Sequence, residues 1–260
     1  MAAEPNRSLL FFVAVHKDSL LPPPCDDYAA LGVGGYHPVA AMRAYSDDIG
    51  ESISQKNNHY SELTGWYWIW RNVTDCKHVG FCHYRRYFLL HPEHPSFFSD
   101  SKIYVPPGPE TFRYLTAPTA TAYAEGLLSN FDVVVPRRQR LPEALSRHYR
   151  EHHFGEDWEL FMRGIKELYP HYWSAAAWFD KTADIHPYNM MIASKAFVDS
   201  YMTSLFAILT WMERQRPFRT EPYQCRVPAF IAERFFTFYL HAVRCRYFEV
   251  PVALTEPNMF

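Results

Sequence analysis

The run Leu9–Val15, LLFFVAV, is seven consecutive apolar residues without a polar alternation. A strand with one wet face alternates, so a strand that does not must be covered on both faces. Shorter runs of the same kind recur at Lys77–Cys82, Phe131–Pro136 (FDVVVP) and Tyr188–Ser194 (YNMMIAS), with a last one in RYFEVPVA. Between them lie helical patterns. In QKNNHYSELTGWYWIWR, Gln55–Arg71, residues Tyr60, Leu63, Trp66, Tyr67 and Trp70 fall at i, i+3, i+4 steps, with Gly65 an internal cost. Helices are also predicted over Leu141–His152 and Asp157–Leu168, from Lys195 through Arg214, and in AFIAERFFTFYLHAV. Strands alternating with helices imply an α/β fold with a largely parallel sheet. The segments Asp18–Pro38 and Leu89–Asn130, both proline-bearing, read as loops. No repeat, low-complexity tract or linker divides the chain, so residues 1–260 read as a single domain.

Apolar residues make up 48% and charged residues 21%, which excludes a disordered chain. The net charge of −2 gives no general attraction to nucleic acid or membrane, so any anion site must be local. Five scattered cysteines without a CxxC pair argue against a disulfide framework and for a reducing compartment. The first apolar run is too short to span a bilayer and runs into His16-Lys17-Asp18, so it reads as a strand and not a signal peptide. A cytoplasmic protein is expected.

In open α/β sheets, ligands sit beyond the carboxyl ends of the strands. His83, Tyr84, Arg85 and Arg86 follow such an end, and a guanidinium fork matches a phosphate bidentately without titrating away. A diphosphate held by His83, Arg85 and Arg86 is one reading; an ordinary surface ion pair is the other. No GxGxxG, GxxxxGK[ST] or GxSxG occurs. The acidic pairs Asp26-Asp27, Asp47-Asp48 and Glu156-Asp157 follow no convincing apolar strand and are weak metal candidates. His148 and His152, at i and i+4, with His153 and Asp157 nearby, could carry a zinc ion, as in a zinc-dependent hydrolase, but HYREH lacks the HExxH arrangement. Glu233 sits in a strongly apolar helix, where a carboxylate serves as a base or pairs with Arg234 or Arg226; the residues alone favour the pair. Aromatic residues, 17% of the chain, suit sugar stacking or a large core, and a non-catalytic carbohydrate-binding protein is a further alternative.

Several phrases in one order, SISQKNNHYSELTGWYWIWRN, VGFCHYRRYF, FDVVVP, HPYNMMIASKAFVDSY and RVPAFIAERFFTFYL, resemble a bacterial capsular and exopolysaccharide glycosyltransferase family. That family was long catalogued as a domain of unknown function, and it has galactofuranosyltransferase relatives. The resemblance runs from about Phe11 to Val252. DDIGESIS and RVPAF depart from its usual forms, which bears on donor and acceptor choice. It implies a GT-A-like fold and an inverting transfer from a UDP-sugar, galactofuranose favoured, to a glycan acceptor on a polyprenyl lipid. The enzyme would then work near the inner face of the membrane, where Arg137, Arg138 and Arg140 could meet headgroups, although a solvated loop is the favoured reading of that cluster. Where most GT-A enzymes carry Asp-x-Asp and a metal, this chain has His83-Tyr84-Arg85-Arg86, which implies cations in place of the metal and no cofactor; Asp47 or Asp48 is the alternative if a metal binds. The resemblance makes Glu233 the first candidate for general base, with Asp157 in reserve. Lys56, Asn57 and Glu62 are implied contacts to nucleotide or donor sugar, and His186, Tyr188 and Asn189 to sugar hydroxyls. The tryptophans Trp66, Trp68 and Trp70 are read as core.

Overall fold

The computed structural model describes residues 7–91 and 101–256. Twelve strands occur among them: β1 (Arg7–Val15), β2 (Tyr28–Gly32), β3 (Arg43–Ser46), β4 (Cys76–His83), β5 (Arg86–Phe88), β6 (Lys102–Tyr104), β7 (Val133–Pro136), β8 (Gln139–Arg140), β9 (Asp184–Ile185), β10 (Met191–Ser194), β11 (Tyr247–Val250) and β12 (Val252–Leu254). The helices are α1 (Asn57–Tyr60), α2 (Leu63–Asn72), α3 (Pro109–Leu115), α4 (Pro118–Leu128), α5 (Leu145–His152), α6 (Gly155–Leu168), α7 (Trp173–Phe179), α8 (Lys195–Gln215) and α9 (Val227–Ala242).

The main sheet runs β11-β7-β10-β4-β1-β2-β3, extended by β5, β12 and β6, while β8 and β9 pair separately. Strand β1 is central and parallel to both β2 and β4. Its side chains alternate between two cores: Leu10, Phe12 and Ala14 in one, Leu9, Phe11, Val13 and Val15 in the other. That is the double coverage its sequence demands. The first core packs under α2, α5, α6, α8 and α9, and the second under α3, α4, β5 and β12.

The mixed α/β architecture with a mostly parallel sheet is as expected, with corrections to detail. Strand β10 runs antiparallel to both β4 and β7. Period alone does not report direction, since a strand buried on both faces reads the same either way. Strands β2 and β3 and helices α3 and α4 lie within or beside segments read as loops; Pro109 and Pro118 stand at helix first turns, where a missing N–H costs nothing. Helix α7 was not foreseen, and the last apolar run is two strands divided at Pro251, which has no N–H for a ladder. The helix expected over Gln55–Arg71 is broken at Ser61, whose φ is 49°. Asn57 stabilises the break: its side-chain amide donates to the Ser61 carbonyl at 2.8 Å and to Thr64 Oγ1 at 3.0 Å. Gly65, costly for an isolated helix, lets α2 settle onto the sheet; a Cβ there would stand 2.9 Å from Val33 Cγ1.

Gly80 in β4 faces the Phe11 ring, which stacks on Tyr28 at 4.5 Å between centroids, and a Cβ at Gly80 would overlap that ring. Gly80→Ala should therefore cost about 1–3 kcal/mol of stability through overpacking. Thermal unfolding checks this, with a midpoint several degrees below the parent expected.

Candidate active site

The chain leaves β1 to build β2 and β3 on one side and returns to place β4 on the other. The carboxyl ends of β1 and β4 thus form a topological switch point, where loops diverge and leave a crevice. A cleft of about 470 Å³ opens there. His16 and Lys17 line it from just past the end of β1, Val33 from just past β2, and Asn57, Asn58, Ser61 and Glu62 from the broken helix. His83, Tyr84, Arg85 and Arg86 line it from β4, and Arg226 from the approach to α9.

The HYRR stretch is a tight hairpin. His83 pairs directly with Arg86 across β4 and β5, with Tyr84 and Arg85 at the turn. Residues directly opposite in an antiparallel pair share a face, and Arg86 Nη1 donates to His83 Nδ1 at 3.0 Å. A guanidinium cannot accept, so Nδ1 is the acceptor and the neutral ring carries its proton on Nε2. Burial, then the charges of Arg86 and Arg85, hold the His83 pKa well below its ordinary value. Burial also depresses His16, helped by Lys17, Arg85 and Arg226. The two histidines therefore register a locally positive cleft in a chain of net charge −2. Among the described residues Arg85 and Arg226 make no ion pair with a carboxylate; Arg226 Nε donates to Ser61 Oγ at 2.8 Å.

Two carboxylates stand beside these cations. Glu62 accepts from the Asn189 side-chain amide at 2.7 Å, and Glu233 Oε1 accepts from the Tyr188 backbone N–H at 2.8 Å. The Arg86 guanidinium lies 4.7 Å from the centroid of the Tyr188 ring. Tyr188 and Asn189 both have positive φ, 78° and 50°. This two-residue turn is thus the clamp that ties Glu62, Glu233 and Arg86 together. Burial raises the Glu62 pKa; Asn189 and Arg226 oppose the rise and Glu233 adds to it.

Residues 11–244 match a family described as a domain of unknown function (DUF4422). The chain belongs to that family. Among solved structures, the apo form of WbbM, described as a bifunctional glycosyltransferase, matches with a TM-score of 0.85 at 25% identity. The match covers 97% of this chain and 46% of that one. The shared architecture is GT-A-like. No curated protein matches the sequence.

The residues singled out in the sequence separate into two groups. His83, Arg85, Arg86, Asn57 and Glu62 line the cleft, while Tyr188, Asn189 and Glu233 stand directly behind it. Lys56 turns away to Glu213, 2.8 Å from both carboxylate oxygens. His186 pairs with Glu249 at 2.9 Å, and Glu249 also meets Arg138. Asp157 is buried on α6 and held by Arg216 and Arg219. Asp47 accepts from the Gly34 and Gly35 N–H groups at 2.9 and 3.0 Å, so it closes a glycine turn, and Asp48 pairs with His37. Trp66 and Trp68 are core, as read, and Trp66 Nε1 also donates to the Asn189 carbonyl at 2.7 Å. His148 and His152 stack at 4.2 Å, and no group of three or more His, Cys, Asp or Glu among the described residues is placed to share a metal ion. Lys17 and Ser61 were not foreseen, and Arg226 was read only as an alternative ion-pair partner of Glu233, a place that Arg234 takes at 3.2 Å. Lys17 had a signal, since it too follows an apolar strand; Arg226 had none.

Folding favours protonated Glu62, so the folded state binds a proton that the unfolded chain releases above the ordinary value of 4.5. Stability should fall as pH rises through the window from that value up to the raised one. Glu62→Gln keeps the acceptor for Asn189 and removes the penalty. It should melt above the parent at about pH 7.5, with the gap closing near pH 4; melting curves at the two pH values check the sign.

Proposed function

We propose that the protein is an inverting glycosyltransferase that moves a hexose, galactofuranose favoured, from a UDP-sugar to a hydroxyl of a glycan. The observation that carries this is the pairing of a cation-lined cleft at the sheet's switch point with two carboxylates beside it. The likeness to WbbM supports glycosyl transfer as the reaction class. The diphosphate sits against Arg85, Arg86, Arg226 and Lys17, whose charges offset the negative charge that grows on UDP as it leaves. A divalent cation does not suit this donor set: the groups at the mouth are positive, and Glu62 is engaged by Asn189. Transfer is accordingly read as independent of metal.

Glu233 is the general base. It takes the proton of the acceptor hydroxyl while that oxygen bonds to the anomeric carbon and the bond from that carbon to the UDP oxygen breaks. Attack opposite the leaving group inverts the configuration. The Tyr188 N–H and Arg234 Nη1, at 2.8 and 3.2 Å, hold the carboxylate in place. Asn57 and Glu62 face the donor sugar and nucleotide. Asp157, fixed between two arginines, is the reserve base. The acceptor is a lipid-linked glycan, met by peripheral association with the membrane; no helix among the described residues is long and apolar enough to cross one.

Calorimetric titration with UDP should give the same affinity in EDTA as with manganese; binding seen only with manganese would sink the arginine-for-metal reading. Arg85→Ala and Arg226→Ala should each weaken UDP about 10-fold or more, as expected for loss of a charge-assisted hydrogen bond. Glu233→Gln should keep UDP affinity and lose at least about 100-fold in transfer. Retained turnover would move the base elsewhere.

A further inference from the structure

Lys17 and Arg85 reach the cleft from different parts of the sheet: Lys17 lies two residues past β1, and Arg85 sits in the turn between β4 and β5. Both are long, flexible cations, and among the described residues neither pairs with a carboxylate. Left to themselves such side chains sample many rotamers, and a ligand that needs both must order both. Here they converge on one ring. Lys17 Nζ lies 5.4 Å, and the guanidinium carbon of Arg85 5.8 Å, from the centroid of Tyr84. Both distances fall inside the range of about 6 Å over which the face of an aromatic ring attracts a cation.

Tyr84 is itself fixed. It is 6% exposed and belongs to the same core as Val13 and Val15 of β1, yet it lines the cleft. Its backbone N–H donates to the Ala14 carbonyl at 3.0 Å, one step past the end of β4. That bond ties the residue to the strand from which Lys17 emerges. His16 meets the ring edge-to-face, with 5.5 Å between centroids. Burial and the neighbouring charges depress the His16 pKa, so at neutral pH it packs against Tyr84 without adding a third positive charge.

A carboxylate in place of Tyr84 would hold the same two cations, but it would cancel their charge and compete with any anion for them. A tyrosine ring attracts through its quadrupole and has no net charge, so it orients the cations and leaves their full charge to the cleft. We propose that Tyr84 is the positioning residue of the diphosphate site: its ring holds Lys17 and Arg85 in place before the donor arrives, so that binding need not order them. This rests on the UDP-sugar reading above and says how that site is pre-organised.

Titration calorimetry with UDP and, as a bare diphosphate, with inorganic pyrophosphate tests this on the parent, Tyr84→Phe and Tyr84→Leu. Tyr84→Phe keeps the ring and should bind both within about 2-fold of the parent. Tyr84→Leu keeps apolar bulk without the ring and should lose about 5-fold or more for both. Because Tyr84 acts through two cations, its effect should shrink when one is gone: in a Lys17→Ala background Tyr84→Leu should lose only about 2-fold more. The ligand-free parent gives a reading that needs no variant, since the Tyr84 ring current should move the Lys17 Hε resonances upfield of those of a solvated lysine. Unchanged affinity in Tyr84→Leu, an equal loss in Tyr84→Phe, a loss undiminished in the Lys17→Ala background, or unshifted Lys17 resonances each overturn the assignment and leave the UDP-sugar reading standing. Tyr84-dependent pyrophosphate binding in a protein that binds no UDP keeps the assignment and overturns the UDP-sugar reading instead, and a parent that binds neither ligand overturns both.

Discussion

Arg86 begins a strand at the mouth of the sheet and is still half-buried, in surroundings where burial works against its charge. A guanidinium in such a place is tolerated only when it is paired and hydrogen-bonded. Here His83 accepts from it, Tyr188 lies under it, and the fields of Glu62 and Glu233 favour its charged form. Each of these partners comes from a different part of the chain. The cleft is therefore one electrostatic unit: both carboxylates favour the charged arginine, and they are held where they are by the turn that carries Tyr188 and Asn189. Burial keeps Glu62 less acidic than an ordinary glutamate, and burial together with the charges of Arg86 and Arg85 keeps His83 neutral.

That balance is maintained by strained backbone. Five non-glycine residues among those described have positive φ; of these Ser61 lines the cleft, and Tyr188 and Asn189 stand behind it. Each costs on the order of 1–3 kcal/mol and persists because neighbours fix it. Ser61 breaks a helix so that Glu62 turns inward. Tyr188 and Asn189 aim a backbone N–H and a side-chain amide at two different acids. Strain gathered at one end of the sheet, with well-covered strands elsewhere, is the distribution expected when a rigid scaffold pre-organises a site.

Much of the scaffold was legible in short apolar runs. Leu9–Val15 requires a strand covered on both faces, and β1 is the centre of the sheet. Apolar Val79–Cys82 followed at once by HYRR marks a strand end, and the hairpin puts three of its polar side chains, His83, Arg85 and Arg86, on the cleft. The rule that found these residues works because a strand's carboxyl end is a fixed place in an α/β sheet. Asp157 as a base and His186 as a sugar contact entered only through the family resemblance, and their partners, Arg216, Arg219 and Glu249, come from distant segments that no spacing reveals. The rule was silent on Arg226, whose place depends on a loop anchored 165 residues away at Ser61.

The sequence by itself determined the doubly covered central strand, the place along the chain of several strands and most of the helices, and the strand end at which cations collect, because burial on both faces and chain exit are local consequences of residue type. Only the tertiary structure decided that β10 runs backwards, that the Trp-rich helix breaks at Ser61, and that Glu62, Asn189, Glu233 and Arg226 meet. These are contacts between segments far apart in sequence, set by how the elements pack, and hydrophobic period carries no record of them.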